Sequence, residues 1–168
     1  MTTVKAGWQG RYFEDFEVGD VYRCRYGRTV TEADNIQFTL LTNNTNQIHY
    51  NRVYGEQTEW GQCLVNSALT LSIIAGMSVA DVSEHGFALG WDAITLPNPV
   101  FAGDTLFSES EVVERRESNS RPSQGIIKVE TRGYQQHGKE VIRYRRSIMV
   151  WKSGHGPVDA GTVWGRLA

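Results

Sequence analysis

A short polar stretch in the first third of the chain carries the residues best suited to proton transfer. Asn44 and His49 stand five positions apart, just after the expected end of a helix. A neutral imidazole is a base that works near neutral pH, whereas an amide can orient water but cannot take a proton from it. A helix end followed by this step can fold both side chains toward one point. One interpretation of the pair is a site where His49 moves a proton and Asn44 holds water.

Both residues also have a purely structural interpretation. A single histidine is often held in place by hydrogen bonds without doing chemistry, and that reading applies to His49 taken alone. Asn44 follows Asn43, and asparagine is well suited to a helix C-terminal cap or to an Asx-turn. For Asn44 the residues alone leave both interpretations open.

The helix before this stretch has a clear beginning. Thr31 followed three residues later by Asp34 is typical of a capping box, which gives Asp34 a structural role. Apolar residues then predict a short amphipathic helix that ends at Thr42 or Asn43; they are Ile36, Phe38, Leu40 and Leu41.

A second helical pattern runs over residues 64–79 and differs in kind, because its apolar residues cover every side of a helical wheel. A helix that is apolar all round is a buried helix. Around it, an opening strand and turn are expected over residues 11–20, and a further strand over 21–30. Four later strands are predicted at residues 87–96, 105–114, 126–134 and 141–151, with a hairpin turn at His137-Gly138.

This order of elements favours an α+β fold in which an antiparallel sheet wraps around one long buried helix. The length of 168 residues and a hydrophobic content of 40% suit a single domain with a real core. We expect that domain to occupy residues 1–152. The glycine-rich residues 153–168 are expected to form an irregular C-terminal tail.

Composition argues against several function classes. The formal charge of −2 and the pI near 6.1 give no sign of a nucleic-acid footprint. No stretch approaches the roughly 20 consecutive apolar residues that span a bilayer. The N-terminus lacks the pattern of a secretory signal, so a cytoplasmic location is expected. Cys24 and Cys63 lie far from metal-ligand spacing with the histidines, and we expect no metal site.

Four segments of the chain are similar to those of one enzyme family. Residues 44–49 read Asn-Thr-Asn-Gln-Ile-His, where that family usually has Asp-x-Asn-Pro followed by Leu or Ile and then His. Further similar segments are residues 12–20, 27–34 and 96–106. The chain thus resembles the MaoC-like family of (R)-specific enoyl-CoA hydratases and dehydratases over about residues 11–152. The resemblance implies a single hot-dog domain.

The resemblance also implies a reaction and a set of site residues. The family adds water to a trans-enoyl thioester or removes it from a 3-hydroxyacyl thioester. His49 and Asn44 take the catalytic positions, with Asn44 in place of the family aspartate, and Asn46 matches an asparagine that braces the loop. A backbone N–H at Ser67, at the start of the buried helix, is expected to bind the thioester oxygen. Its neighbour Asn66 is expected to contact substrate.

Partners follow from the same resemblance. The substrate is an acyl-CoA, coenzyme A enters only as part of it, and no other cofactor is expected. Arg115 and Arg116, followed by Arg121, are candidates for its phosphates, although such a run is also typical of a solvated hairpin tip. Because the family pairs two hot-dog units, a homodimer or a higher assembly of dimers is expected. Two alternatives are a non-catalytic partner subunit that binds acyl-CoA, favoured by Asn44, and a hot-dog thioesterase, although Asn66 and Ser67 supply no acid.

Overall fold

A computed structural model describes residues 3, 5 and 7–157. The part of the expected tail at residues 158–168 lies outside the described residues. The helices are α1 (Glu32–Leu41), α2 (Arg52–Glu56), α3 (Ser67–Met77) and α4 (Val79–Val82). The strands are β1 (Val21–Arg23), β2 (Arg28–Thr29), β3 (Gly86–Thr95), β4 (Thr105–Glu117), β5 (Gln124–Gln135) and β6 (Glu140–Trp151).

The described strands form one antiparallel sheet in the order β1-β4-β5-β6-β3, with β2 also paired to β4. The four later strands lie where the sequence predicts them, within three residues at each end. Gly138 adopts a positive φ of 78° in the turn between β5 and β6, as a tight hairpin requires. No helix in the described part of the chain is long and apolar enough to cross a membrane.

Helix α3 packs on one face of the sheet against β4 and β5. Gly133 in β5 permits the close approach, because a Cβ there would stand 2.7 Å from side-chain atoms of Ile74 and Ile142. Buried apolar residues from both layers form the core at this contact; they include Leu69, Ile74, Met77, Leu106, Ile142 and Tyr144. The α+β arrangement of a sheet around a central helix, expected from the sequence, is confirmed.

The opening segment differs from the prediction. Residues 13–15 form a 3-10 turn rather than a strand. The Asp15 carboxylate accepts a hydrogen bond from the Tyr12 N–H at 2.8 Å and caps this turn. The turn brings Phe13 and Phe16, three positions apart, to the same buried side. The predicted strand over residues 21–30 is divided into two short strands, β1 and β2.

Helix α3 begins later and ends earlier than residues 64–79. Asn66 caps its N-terminus, so Leu64 and Val65 stay extended beside the segment at Val100 and Phe101. The helix is also not buried on every side in the single chain, because small residues four positions apart are exposed; they are Ala68, Ser72 and Gly76.

Helix α1 is present, but its orientation differs from the expected one. Leu40 and Leu41 are 57% and 81% exposed, whereas Asn35 and Thr39 are buried. The helix turns its polar i, i+4 pair inward because Asn35 makes three hydrogen bonds to the neighbouring segments. A buried amide with all of these partners is stable where an unpaired one would not be.

Candidate active site

His49 closes a 3-10 turn formed by Gln47–His49. Its Nδ1 lies 3.0 Å from the carbonyl oxygen of Leu64. A carbonyl oxygen can only accept, so Nδ1 carries the proton and donates it. In the neutral tautomer that makes this bond, Nε2 carries the lone pair. The half-buried imidazole is held in one orientation with its lone pair available for proton transfer.

Asn35 holds the His49 turn against the start of α3. Its Nδ2 donates to the carbonyl oxygens of His49 at 2.7 Å and Leu64 at 2.9 Å, and its Oδ1 accepts from the Asn66 N–H at 2.8 Å. The side chain is 2% exposed. Sequence reasoning missed Asn35, although asparagine inside a helix is a weak helix former and could have marked it. Asn35 therefore positions the turn that carries His49.

The loop between α1 and His49 is built from asparagines. Asn43 takes a positive φ of 54°, and the N–H groups of Asn43 and Asn44 donate to the carbonyl oxygens of Leu40 and Thr39. This is a Schellman ending, so Asn43 is the left-handed cap of α1. The Asn44 side-chain oxygen accepts from the Asn46 N–H at 2.9 Å, an Asx-turn, while its amide nitrogen has no partner among the described residues.

Asn46 continues the same loop by capping the His49 turn. Its Oδ1 accepts from the Ile48 N–H at 3.3 Å. Through these two contacts Asn46 links the end of α1 to the turn that carries the imidazole.

The start of α3 presents a backbone donor. Asn66 is the N-cap, and its Oδ1 accepts from the Ala68 N–H at 3.0 Å while its Nδ2 donates to Thr39. Its side chain is buried and engaged in these contacts, so the structure places it in the cap rather than toward the cavity. The N–H of Ser67 in the first turn has no hydrogen-bond partner in the described part of the chain. Such an N–H, reinforced by the helix dipole, is a ready site for negative charge.

One cavity of about 330 Å³ joins these groups. His49 and Ser67 both line it, together with Thr70 and Asn98. The rest of its wall is apolar: Trp60, Leu64, Val65, Leu96, Pro97, Pro99 and Val100. Among the described residues none of these carries a fixed charge. An apolar wall of this kind favours a hydrogen bond to a developing oxyanion once substrate fills the cavity and displaces water.

Other predicted site residues lie elsewhere in this chain. Asn44 is not among the residues that line the cavity. Arg115 and Arg116 lie near the far end of β4, roughly 33 Å from its start at Thr105 by strand geometry. Thr105 follows Val100, which lines the cavity, by five positions. The guanidinium of Arg115 stacks 4.1 Å over the Phe13 ring. The single chain therefore does not bring either arginine to His49.

Two further observations bear on the chemistry at this site. Burial raises the pKa of the Cys63 thiol, next to Leu64, so this sulfur stays protonated rather than becoming a nucleophile. Within residues 7–157 no group of three or more His, Cys, Asp or Glu side chains is arranged to hold a metal ion.

The chain matches the family model described as mesaconyl-CoA hydratase over residues 2–165. It is also similar to the mesaconyl-CoA hydratase of Haloarcula marismortui, with 31% identity over 157 residues. That alignment covers 92% of this chain and 44% of the relative. The chain thus spans less than half the length of the curated relative.

Solved structures agree with the fold. A MaoC domain protein dehydratase from Chloroflexus aurantiacus has a TM-score of 0.83 at 26% identity, covering 92% of this chain and 45% of that one. A Mycobacterium tuberculosis protein with a double hot-dog fold has a TM-score of 0.79 at 19% identity, covering 89% and 47%. The expected hot-dog fold and MaoC-like resemblance are confirmed. The chain belongs to the mesaconyl-CoA hydratase family.

Proposed function

We propose that this chain adds water to the double bond of a trans-2-enoyl thioester of coenzyme A, or catalyses the reverse dehydration. One observation carries the proposal: His49, with Nε2 as its base, and Ser67, with an unpaired N–H, line the same cavity. Hydration of a conjugated thioester needs a base for water and a donor for the thioester oxygen. Mesaconyl-CoA is the first substrate to test, because the relatives are named for it.

The reaction draws on groups of the chain itself. Nε2 of His49 takes a proton from water as the water oxygen bonds to C3 of the enoyl group. The electrons of the double bond move toward the thioester oxygen, which the Ser67 N–H stabilises. The imidazolium then returns its proton to C2, so one water is added and the histidine is restored. We propose no cofactor besides the coenzyme A that the substrate carries.

We propose that Asn44 holds the water on the strength of its free amide donor, although Asn44 does not line the His49 cavity in the described chain. Its amide nitrogen is unpaired among the described residues and can donate to the water oxygen, while its own oxygen is held in the Asx-turn. An amide donor orients the nucleophile without competing for the proton. Proton transfer then falls to His49 alone.

One variant of His49 and a pair of variants of Ser67 test the proposal. Hydration of mesaconyl-CoA and of a short unbranched enoyl-CoA is followed by loss of the conjugated thioester absorbance. His49→Gln is expected to lower kcat by about 10² to 10⁴, the usual contribution of a general base. A wild-type hydration rate no higher than that of His49→Gln would contradict the proposal that the chain is an enzyme.

Ser67→Pro removes the backbone N–H and keeps the helix. Proline is accepted at the first helical position, and Asn66 already has the φ of −58° and ψ of 127° that a following proline favours. The loss of one oxyanion donor is expected to cost about 10² to 10³ in kcat. The matched control, Ser67→Ala, keeps the N–H and is expected to retain activity. Equal rates for the two variants would remove Ser67 from the site.

A non-catalytic partner subunit is the second candidate, and Asn44 favours it. No carboxylate stands at this position, and the Asn44 oxygen is already engaged with Asn46. In this case the chain binds acyl-CoA without turnover until another subunit is added. Asn44→Asp separates the two candidates. A large gain in hydration by the variant, starting from an inert wild type, would support the non-catalytic subunit.

We further propose that two hot-dog units pair through β3, with a homodimer as the arrangement to test first. Strand β3 pairs with β6 on one side and is at the open edge of the described sheet. Large apolar side chains along it are 42% to 48% exposed: Phe87, Leu89, Trp91 and Ile94. A long apolar edge strand normally has a partner. The match to less than half of a double hot-dog protein supports the same pairing. Light scattering should give the mass of two chains, and a monomer would contradict it.

A further inference from the structure

A second cavity, of about 230 Å³, lies at the opposite end of α3 from His49. Its floor includes Met77 and Ala80, and its walls include Trp8, Cys24 and Tyr26. Three arginines line it as well, Arg11, Arg23 and Arg25, against a single carboxylate from Asp81. The cavity therefore combines an apolar floor, aromatic walls and a surplus of positive charge.

Specific contacts fix the side chains of the cavity wall around Arg11. The Arg11 guanidinium lies 4.6 Å from the Trp8 ring centroid and 4.2 Å from that of Tyr22, and it pairs with Asp81 at 3.3 Å. The Trp8 indole donates to the Ala80 carbonyl oxygen at 3.0 Å. These contacts hold the aromatic and cationic groups in place before any ligand arrives, which lowers the ordering cost of binding.

The opposite rim carries two arginines, one of which is already engaged in an ion pair. Arg23 is bound to Glu109 at 2.7 Å, with its side chain 80% exposed. Arg25 has no ion pair among the described residues. One guanidinium group can donate two parallel hydrogen bonds to the oxygens of a phosphate. The face of an aromatic side chain can stack on a planar base. A ligand with a flat heteroaromatic ring and several phosphates matches this combination.

We propose that this cavity takes the adenine nucleotide end of coenzyme A, with the base against Trp8 or Tyr26 and a phosphate on Arg25. The assignment rests on the proposed function, because only an acyl-CoA substrate tethers a phosphorylated adenosine to the thioester. Helix α3 separates the two cavities, and its length from Ser67 to Met77 is roughly 16 Å. A coenzyme A molecule likewise separates its thioester from its nucleotide by the extended pantetheine arm.

The surface between the two cavities supports this path. The exposed residues of α3 there are small and four apart, namely Ala68, Ser72 and Gly76. They leave room for an extended arm along the helix.

Direct binding tests the assignment without any turnover. Adenosine 3′,5′-bisphosphate is titrated calorimetrically into the wild type, Arg25→Ala, Trp8→Ala, Arg116→Ala and the control Lys139→Ala. The control removes an exposed cation at the β5–β6 hairpin. Each cavity variant is expected to raise the Kd about tenfold, as loss of one exposed charge-assisted contact or one stacking contact does. No bisphosphate binding by the wild type, or a loss confined to Arg116→Ala, would overturn the assignment.

Kinetics supply a second readout. For Arg25→Ala the KM of an enoyl-CoA is expected to rise about tenfold with kcat unchanged, because the contact is remote from the reacting atoms. The same variant should treat an enoyl N-acetylcysteamine thioester, which lacks the nucleotide, as the wild type does. Equal loss on both thioesters would contradict the assignment. A chain that binds the bisphosphate but hydrates nothing would retain this site and lose the proposed function.

Discussion

The position of His49, the proposed catalytic base, depends on Asn35, and Asn35→Ala is the most direct test of that dependence. The side chain is 2% exposed and makes hydrogen bonds of 2.7, 2.9 and 2.8 Å to His49, Leu64 and Asn66. A hydrogen bond of this kind has a net worth of about 1 kcal/mol. Loss of all of them is therefore expected to lower the free energy of unfolding by about 3 kcal/mol.

Activity should fall for a geometric reason. Asn35 links the His49 carbonyl to Leu64, whose oxygen also fixes the imidazole at 3.0 Å. A shift of about 1 Å in a reacting group can cost roughly 10² in rate. We expect kcat to fall about that much in Asn35→Ala with a smaller change in KM, since the cavity wall is intact.

Urea unfolding followed by tryptophan fluorescence gives the stability, and the hydration assay gives the kinetics. The matched control is Gln37→Ala, an exposed position on the same helix, where a change within about 0.5 kcal/mol is expected. An Asn35→Ala variant as stable and as active as Gln37→Ala would refute the reasoning. It would mean that packing alone holds the His49 turn.

Two further predictions concern the sheet. The hydrogen bond from Arg132, together with that from Arg145, holds the pKa of Glu130 below its ordinary value. A lowered folded-state pKa stabilises the fold above the unfolded value of about 4.3, and that contribution disappears as the pH falls through the folded pKa. Glu130→Gln should therefore be less stable than wild type in urea at pH 7, with the gap closing toward pH 3; a constant gap would contradict this. Gly133→Ala, whose Cβ would meet Ile74 at 2.7 Å, should lose about 1 to 3 kcal/mol, whereas Gly76→Ala on the open helix face should lose none. Equal thermal midpoints for these two variants would show that α3 shifts freely.

Local patterns predicted much of the framework. The Thr31–Asp34 pair forms the expected capping box, with the Asp34 carboxylate 2.8 Å from the Thr31 N–H. The four long strands also follow their predicted ranges closely, because alternation and turn residues act over a few positions. The predicted start of α3 at residue 64 is wrong, because alternation and turn residues act only over a few positions and do not report contacts with distant segments. Leu64 and Val65 continue the apolar pattern, yet the helix begins only after them, because Asn66 is its N-cap and Leu64 forms a bridge to Phe101.

The sequence by itself determined the groups available for chemistry: an imidazole at His49 and an amide at Asn44. Only the tertiary structure decided how they are used. Asn35 reaches Asn66 across 31 positions, and no local pattern reports a contact of that range. The same holds for Ser67, which shares a cavity with His49 because α3 packs beside its turn. Side chains far apart in the chain meet only after the sheet and α3 have packed, since the burial of both layers sets their distance.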